Sequence, residues 1–185
     1  YKKAAKADTV ASYQRFRQMG ESEVSLRTAW NDLLQKAVEN EGNAYYRDNT
    51  LPENTVSGFQ EFRRKYPASD QISDAKTREV NLASRIALKS ERVGVLRLFQ
   101  KKYADWTEAQ EVLKRIRAKE VELAFKATVE VQTLEAYAIF YAQYGTWPEA
   151  AESLSKVRTI EVNQAFLLAE EDDTIEVWEK YQQKY

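Results

Sequence analysis

Glu120-Val121-Glu122-Leu123-Ala124-Phe125 returns 41 residues later as Glu161-Val162-Asn163-Gln164-Ala165-Phe166, and stands 41 residues earlier as Glu79-Val80-Asn81-Leu82-Ala83. A string that recurs at a fixed interval of this size marks stacked supersecondary units, so the repeat decides the fold before any other pattern is read. Upstream of each string the long segment opens alike, with Trp106-Thr107-Glu108-Ala109 and Trp147-Pro148-Glu149-Ala150, and Pro148 suits a first helical turn. From those openings Ala109, Val112, Leu113 and Ile116 match Ala150, Leu154 and Val157 at helical spacing.

A shorter segment precedes each long one. Thr9-Val10 leads to Tyr13 and Phe16; Thr55-Val56 to Phe59, Phe62 and Tyr66; Arg92-Val93 to Leu96, Phe99 and Tyr103. Thr133-Leu134 leads to Tyr137, Phe140 and Tyr144, and Thr174-Ile175 to Trp178, Tyr181 and Tyr185. Apolar residues at positions 1, 4, 7 and 11 after the Thr site form one face of a three-turn helix. Asp8, Asn54 and Asp173 are expected to cap these helices. Phe62, Phe99 and Phe140 are expected at equivalent buried positions, because an aromatic stripe in this register packs between hairpins rather than stacking on bases.

One short and one long amphipathic helix cannot bury their apolar faces alone, so neighbouring pairs must stack. The pattern therefore predicts an all-α fold, an α-solenoid of tandem helical hairpins with units of about 41 residues. The units run approximately over 1–46, 53–88, 89–129 and 130–170, with a partial unit at 171–185. The turns are expected at the few breakers, Gly20, Pro67, Ala104-Asp105, Gly145 and Pro148, and the stretch Asn40 to Glu53 reads as an extended loop.

Composition narrows the chemistry. Among 185 residues there is no cysteine and no histidine, and only 5 glycines and 3 prolines. Thiolate or imidazole metal sites, Ser/His or Cys nucleophiles and disulfides are excluded. Glycine-rich phosphate loops are absent. The acidic run Glu170-Glu171-Asp172-Asp173 reads as a solvated turn rather than a catalytic or cation site. Lys+Arg of 28 against Asp+Glu of 29 leaves a net charge of -1, which gives no bulk attraction to nucleic acid or anionic membrane. The longest apolar stretch, Ala136 to Ala142, is too short to span a bilayer. These features predict neither enzyme, cofactor nor metal.

Phe59-Gln60-Glu61-Phe62-Arg63-Arg64-Lys65-Tyr66-Pro67-Ala68-Ser69, with Asp74-Ala75 beyond it, resembles the F-x-x-x-Y-P-x-S…A string of tetratricopeptide-like repeat proteins of the bacterial envelope, of BamD-like or Tol-associated coordinator type. Units three and four carry Tyr103-Ala104-Asp105-Trp106 and Tyr144-Gly145-Thr146-Trp147 at that place. The resemblance implies a noncatalytic protein-binding scaffold in the periplasm or envelope, compatible with a lipid anchor outside these residues. It supplies no binding residues.

Two sets of residues are therefore singled out by their own chemistry. Glu79, Glu120 and Glu161 lie on or beside the apolar stripe, where a carboxylate needs a partner, and Lys76, Arg117 and Arg158 stand three residues before them on the same face. This predicts a repeated salt bridge, or a cap holding the next hairpin, with a charged ladder on the concave surface as the alternative. The second set is terminal: Ile175, Trp178, Tyr181 and Tyr185 form the apolar face of a short helix, one side of which is expected to meet solvent or a partner. The expected partner-binding residues are Trp178, Tyr181, Tyr185, Glu120 and Glu161. The expected function is a repeat scaffold for a protein or peptide partner; the alternative is an accessory domain that contacts a further part of its own chain.

Overall fold

The computed structural model describes residues 1–22 and 30–185, and among them it is all-helical, with no strand. The helices are α1 (Lys2–Ala7), α2 (Val10–Ser22), α3 (Asn31–Tyr45), α4 (Val56–Lys65), α5 (Ile72–Leu88), α6 (Val93–Tyr103), α7 (Gln110–Val131), α8 (Leu134–Tyr144), α9 (Ala151–Asp172) and α10 (Ile175–Lys184). Short 3₁₀ turns at Thr107–Ala109 and Pro148–Ala150 lead into α7 and α9. Among the described residues, short and long helices alternate from α4 to α10, as expected.

The chain forms two compact bodies, Tyr1–Arg85 with Trp106–Ala109, and Ile86–Asp105 with Gln110–Tyr185. In the first, α1 packs on α2 and α2 on α3. Tyr13, Phe16, Ala37 and Ala44 fill one cluster; Tyr46, Phe59, Phe62, Tyr66 and Ala75 fill another. In the second, α8 packs on both α7 and α9, α9 also packs on α7, and α10 packs on α9. The core there joins Val121, Tyr137, Phe140, Tyr144, Ala150 and Val157. Phe62, Phe99 and Phe140 are all buried, as the repeat predicts. Each such ring stabilises its body by about 1.5 to 3 kcal/mol relative to exposure.

Three local expectations are corrected. First, Asp8, Asn54 and Asp173 are not N-caps: with Gln132 they take left-handed φ values of 46, 46, 48 and 53 degrees, stopping the preceding helix. Asp and Asn tolerate that region better than other non-glycine residues. The next residue caps instead. The hydroxyls of Thr9, Thr55, Thr133 and Thr174 accept from the backbone N–H of Ser12, Gly58, Ala136 and Val177 at 3.2, 2.9, 3.2 and 3.4 Å.

Second, Asn40 to Glu53 is not an extended loop. α3 runs to Tyr45, continues as one π-helical turn, Tyr46–Thr50, and ends in the single α-turn Leu51–Glu53. Its polar letters conceal a buried face, since Glu41, Ala44, Tyr46 and Thr50 all lie inside. The extra residue of the π turn shifts that face into register, and Pro52, which has no amide to donate, stands in the single turn that follows it. Third, Gly20 lies within α2 rather than in a turn.

Candidate functional site

In each body the long helices carry buried carboxylates. Glu41, Glu79, Glu120 and Glu161 are 2%, 0%, 1% and 4% exposed. A carboxylate so placed is tolerable only with charge-assisted bonds around it. In the first body, Glu41 accepts from Gln14 Nε2 at 3.0 Å, Arg17 Nη1 at 2.8 Å and the Tyr66 hydroxyl at 3.0 Å. Glu79 accepts from Gln60 Nε2 and Arg63 Nε, both at 2.9 Å. In the second body, Glu120 accepts from Arg97 Nε at 2.7 Å, Gln100 Nε2 at 2.5 Å and the Tyr144 hydroxyl at 3.1 Å.

The cation and the amide come from the short helix of the same hairpin. They sit one and four residues after its first core residue: Gln14 and Arg17 after Tyr13, Gln60 and Arg63 after Phe59, Arg97 and Gln100 after Leu96. The order of Gln and Arg reverses in the third unit, yet both still reach the carboxylate. The tyrosine comes from the end of the next short helix, Tyr66 just past α4 for Glu41 and Tyr144 on α8 for Glu120. Burial, followed by the bond to Glu41, pushes the Tyr66 hydroxyl above its ordinary range, and burial is the main cause of the same shift at Tyr144.

The expected basic partners are therefore corrected. Lys76 meets Glu108 at 3.8 Å and Arg117 meets Glu149 at 3.6 Å, each in the turn that opens the following long helix. Only Arg158 reaches the carboxylate three residues on, at 3.4 Å from Glu161 Oε2. Residues three apart neighbour each other on a helix, but Glu79 and Glu120 point into the core and are already occupied there.

At the C-terminal end the set is rearranged. The short helix α8 offers Ala138 and Tyr141 where its predecessors carry Arg97 and Gln100. The Tyr141 hydroxyl faces Glu161 without completing a hydrogen bond. Neutralisation comes from α10, with Lys184 Nζ at 2.8 Å and the Tyr185 hydroxyl at 2.7 Å from Glu161 Oε1. Burial drives the Glu161 carboxyl up, but the bonds from Lys184 and Tyr185 outweigh it and hold the group below the usual carboxylate range.

The structure brings Glu161, Tyr185 and Tyr181 together, while Glu120 occupies the equivalent place one hairpin earlier. Trp178 and Tyr181 set their rings edge-on to Phe166 at 5.6 and 6.0 Å, and Tyr181 and Tyr185 lie 5.2 Å apart. Yet no residue of α10 is buried, and Ile175 is 80% exposed. Phe166 itself is 42% exposed, with Leu167 and Leu168 also open to solvent. A groove of about 200 Å³ lies between α10 and α9, lined by Leu134, Ala165, Leu168, Val177, Tyr181 and Lys184. A larger depression of about 660 Å³ lies in the first body, by Tyr1, Phe16, Met19 and Trp30.

Glu41 and the Gln/Arg pairs escape the reading of the sequence. The pairs could have been found as polar residues recurring at fixed offsets from the aromatic stripe; Glu41 stands 38 rather than 41 residues before Glu79, inside the apparent loop. Among the described residues no group of three or more metal-ligating side chains converges, and no helix is long and apolar enough to cross a membrane. The arrangement holds helices together and offers apolar surface. Comparison with known proteins finds no family model, curated relative or solved structure that matches this chain.

Proposed function

We propose that the chain is a noncatalytic scaffold, a tetratricopeptide-like solenoid of hairpins, that binds a protein or peptide at the C-terminal end of its second body. The observation that carries this reading is the apolar surface around α10, where Phe166, Leu167, Leu168 and Ile175 are exposed and no residue of the helix itself is buried. Contiguous apolar surface on a folded protein marks an interaction site. Trp178, Tyr181 and Tyr185 form the aromatic floor of that surface, and Glu120 and Glu161 fix the helices that present it. The likeness of residues 59–75 to envelope repeat proteins supports an envelope setting.

The test is affinity capture with the 185-residue chain, read by quantitative mass spectrometry against two variants. Phe166→Asp is expected to lower recovery of the specific partner at least about tenfold, since an unpaired charge is placed at the centre of the contact. Leu98→Asp, at a site 68% exposed on α6, is expected to leave it unchanged. Recovery that is indifferent to Phe166 would remove the reading.

A further inference from the structure

Resting on that reading, the occupant of the C-terminal surface can be specified by its chemistry. The helices α7 and α9 carry the same strip at i, i+4 and i+8: Arg117, Val121 and Phe125 on the first, Arg158, Val162 and Phe166 on the second. The α7 strip is covered. Val121 is buried in one cluster with Ala150 and Val157, Phe125 packs on that cluster, and Arg117 meets Glu149. Glu149 belongs to the turn Trp147-Pro148-Glu149-Ala150. Within the first body the same chemistry recurs. Lys76, at the place of Arg117, meets Glu108 of Trp106-Thr107-Glu108-Ala109, and its ammonium lies 5.3 Å from the Trp106 ring centre.

The strip on α9 is open. Val162 is only half-buried, and one flank of Phe166 is left exposed beside Trp178 and Tyr181. Arg158 is held from its own unit and from α10. Its guanidinium turns back to Glu161 and to the Lys184 carbonyl, both at 3.4 Å, and lies 4.7 Å over the Tyr185 ring. Its side chain nonetheless stays 47% exposed, against 38% for Arg117 and 34% for Lys76, so the guanidinium keeps a face open to a further acceptor.

We infer that Arg158, Val162 and Phe166 receive a single helix of a partner protein that opens with Trp-x-Glu-Ala, its glutamate on Arg158 and its next apolar residues on Val162 and Phe166. Charge and repeat equivalence both specify this occupant: the two covered examples pair a cation at the head of the strip with the glutamate of such a turn. A second copy of the chain is a poorer match, because its own Trp-x-Glu-Ala turns are already engaged by Lys76 and Arg117.

The probe is a labelled synthetic peptide with the sequence of Trp147 to Leu168, titrated against the 185-residue protein by fluorescence anisotropy. The unmodified peptide is expected to bind, and Glu149→Lys in the peptide to weaken binding about tenfold. Arg158→Glu in the protein should weaken the unmodified peptide and recover the Glu149→Lys peptide. Because that variant sets a second carboxylate beside Glu161, its helicity is checked by circular dichroism. Phe166→Gln, which leaves the contacts of Glu161 intact, must weaken the peptide as well. Equal binding of both peptides, or no binding of either, overturns the inference. Self-association of the chain that Phe166→Gln abolishes overturns it in favour of a second copy. If the peptide fails while partner recovery still depends on Phe166, the scaffold reading survives alone; if both fail, both fall.

Discussion

Glu120 and Glu161 occupy the same position of the repeat and are buried to the same degree, yet they are neutralised from opposite sides. Glu120 takes Arg97 and Gln100 from its own hairpin and only a hydroxyl, that of Tyr144, from the next short helix. Glu161 takes little from its own short helix and draws both Lys184 and Tyr185 from α10. The hairpin around Glu120 therefore carries its own charge balance, whereas at Glu161 the balance depends on a neighbouring helix with no buried residue. A conserved geometric slot does not require a conserved donor; it requires that some cation reach the carboxylate, and the source of that cation decides which helix is held.

Substituting equivalent core residues breaks the comparison most sharply. Phe140 on α8 and Tyr181 on α10 lie 41 residues apart, the first 1% exposed and the second half-buried. Phe140→Ala is expected to cost about 3 to 5 kcal/mol in chemical denaturation. Tyr181→Ala should cost about 1 kcal/mol or less, because the site is already open to water and leaves a smaller cavity. Comparable losses would mean that α10 is as integral to the second body as α8.

The cations come next. Arg97→Met leaves Glu120, 1% exposed, with Gln100 and Tyr144 but without that cation; the arginine is itself 53% exposed, so the expected cost is about 1 to 2 kcal/mol. Lys184→Met is expected to cost less, about 1 kcal/mol or below, since a second cation, Arg158, stays close to the same carboxylate. Urea titrations of both variants check the ranking. A larger loss at Lys184 would show that α10 carries the charge balance of the whole second body.

The short helices and their buried aromatics are legible in the chain because each is a local pattern: a Thr hydroxyl caps the helix, and rings recur on one face. Glu120 and Glu161 are legible as acids in need of partners for the same reason. Their partners are not, because Arg97, Lys184 and Tyr185 lie 23, 23 and 24 residues away, and a neighbour three residues off on the same helix offers itself first. Asn40 to Glu53 is misread for a related cause. Polar residues at Glu41 and Thr50 are buried, and the π turn shifts the helical period on which the reading depends. Apolar periodicity reports what a helix buries on average; it is silent on a carboxylate whose hydration is replaced by distant donors.

The smallest effect expected is also the most local. The Glu161 carboxyl titrates below its ordinary value of 4.5 in the folded protein, so the stabilisation it gives α10 is present above that value and disappears as the pH falls through the folded one. On protonation the group no longer attracts Lys184 or Arg158, while the Tyr185 hydroxyl can still find an oxygen. The loss is about 1 kcal/mol, or roughly fivefold in the opening of the helix, because Lys184 is exposed and its pairing is screened by water. Hydrogen exchange of the α10 amides, corrected for intrinsic rates and compared with those of α8, is expected to show that excess opening between pH 6 and pH values below the carboxylate range. Glu161→Gln should display it already at pH 6 and change little on acidification. Should α10 and α8 lose protection together in the wild type, and Glu161→Gln behave like it, the carboxylate would not be what holds the terminal helix, and the contrast with Glu120 would reduce to a difference of donors without a difference of consequence.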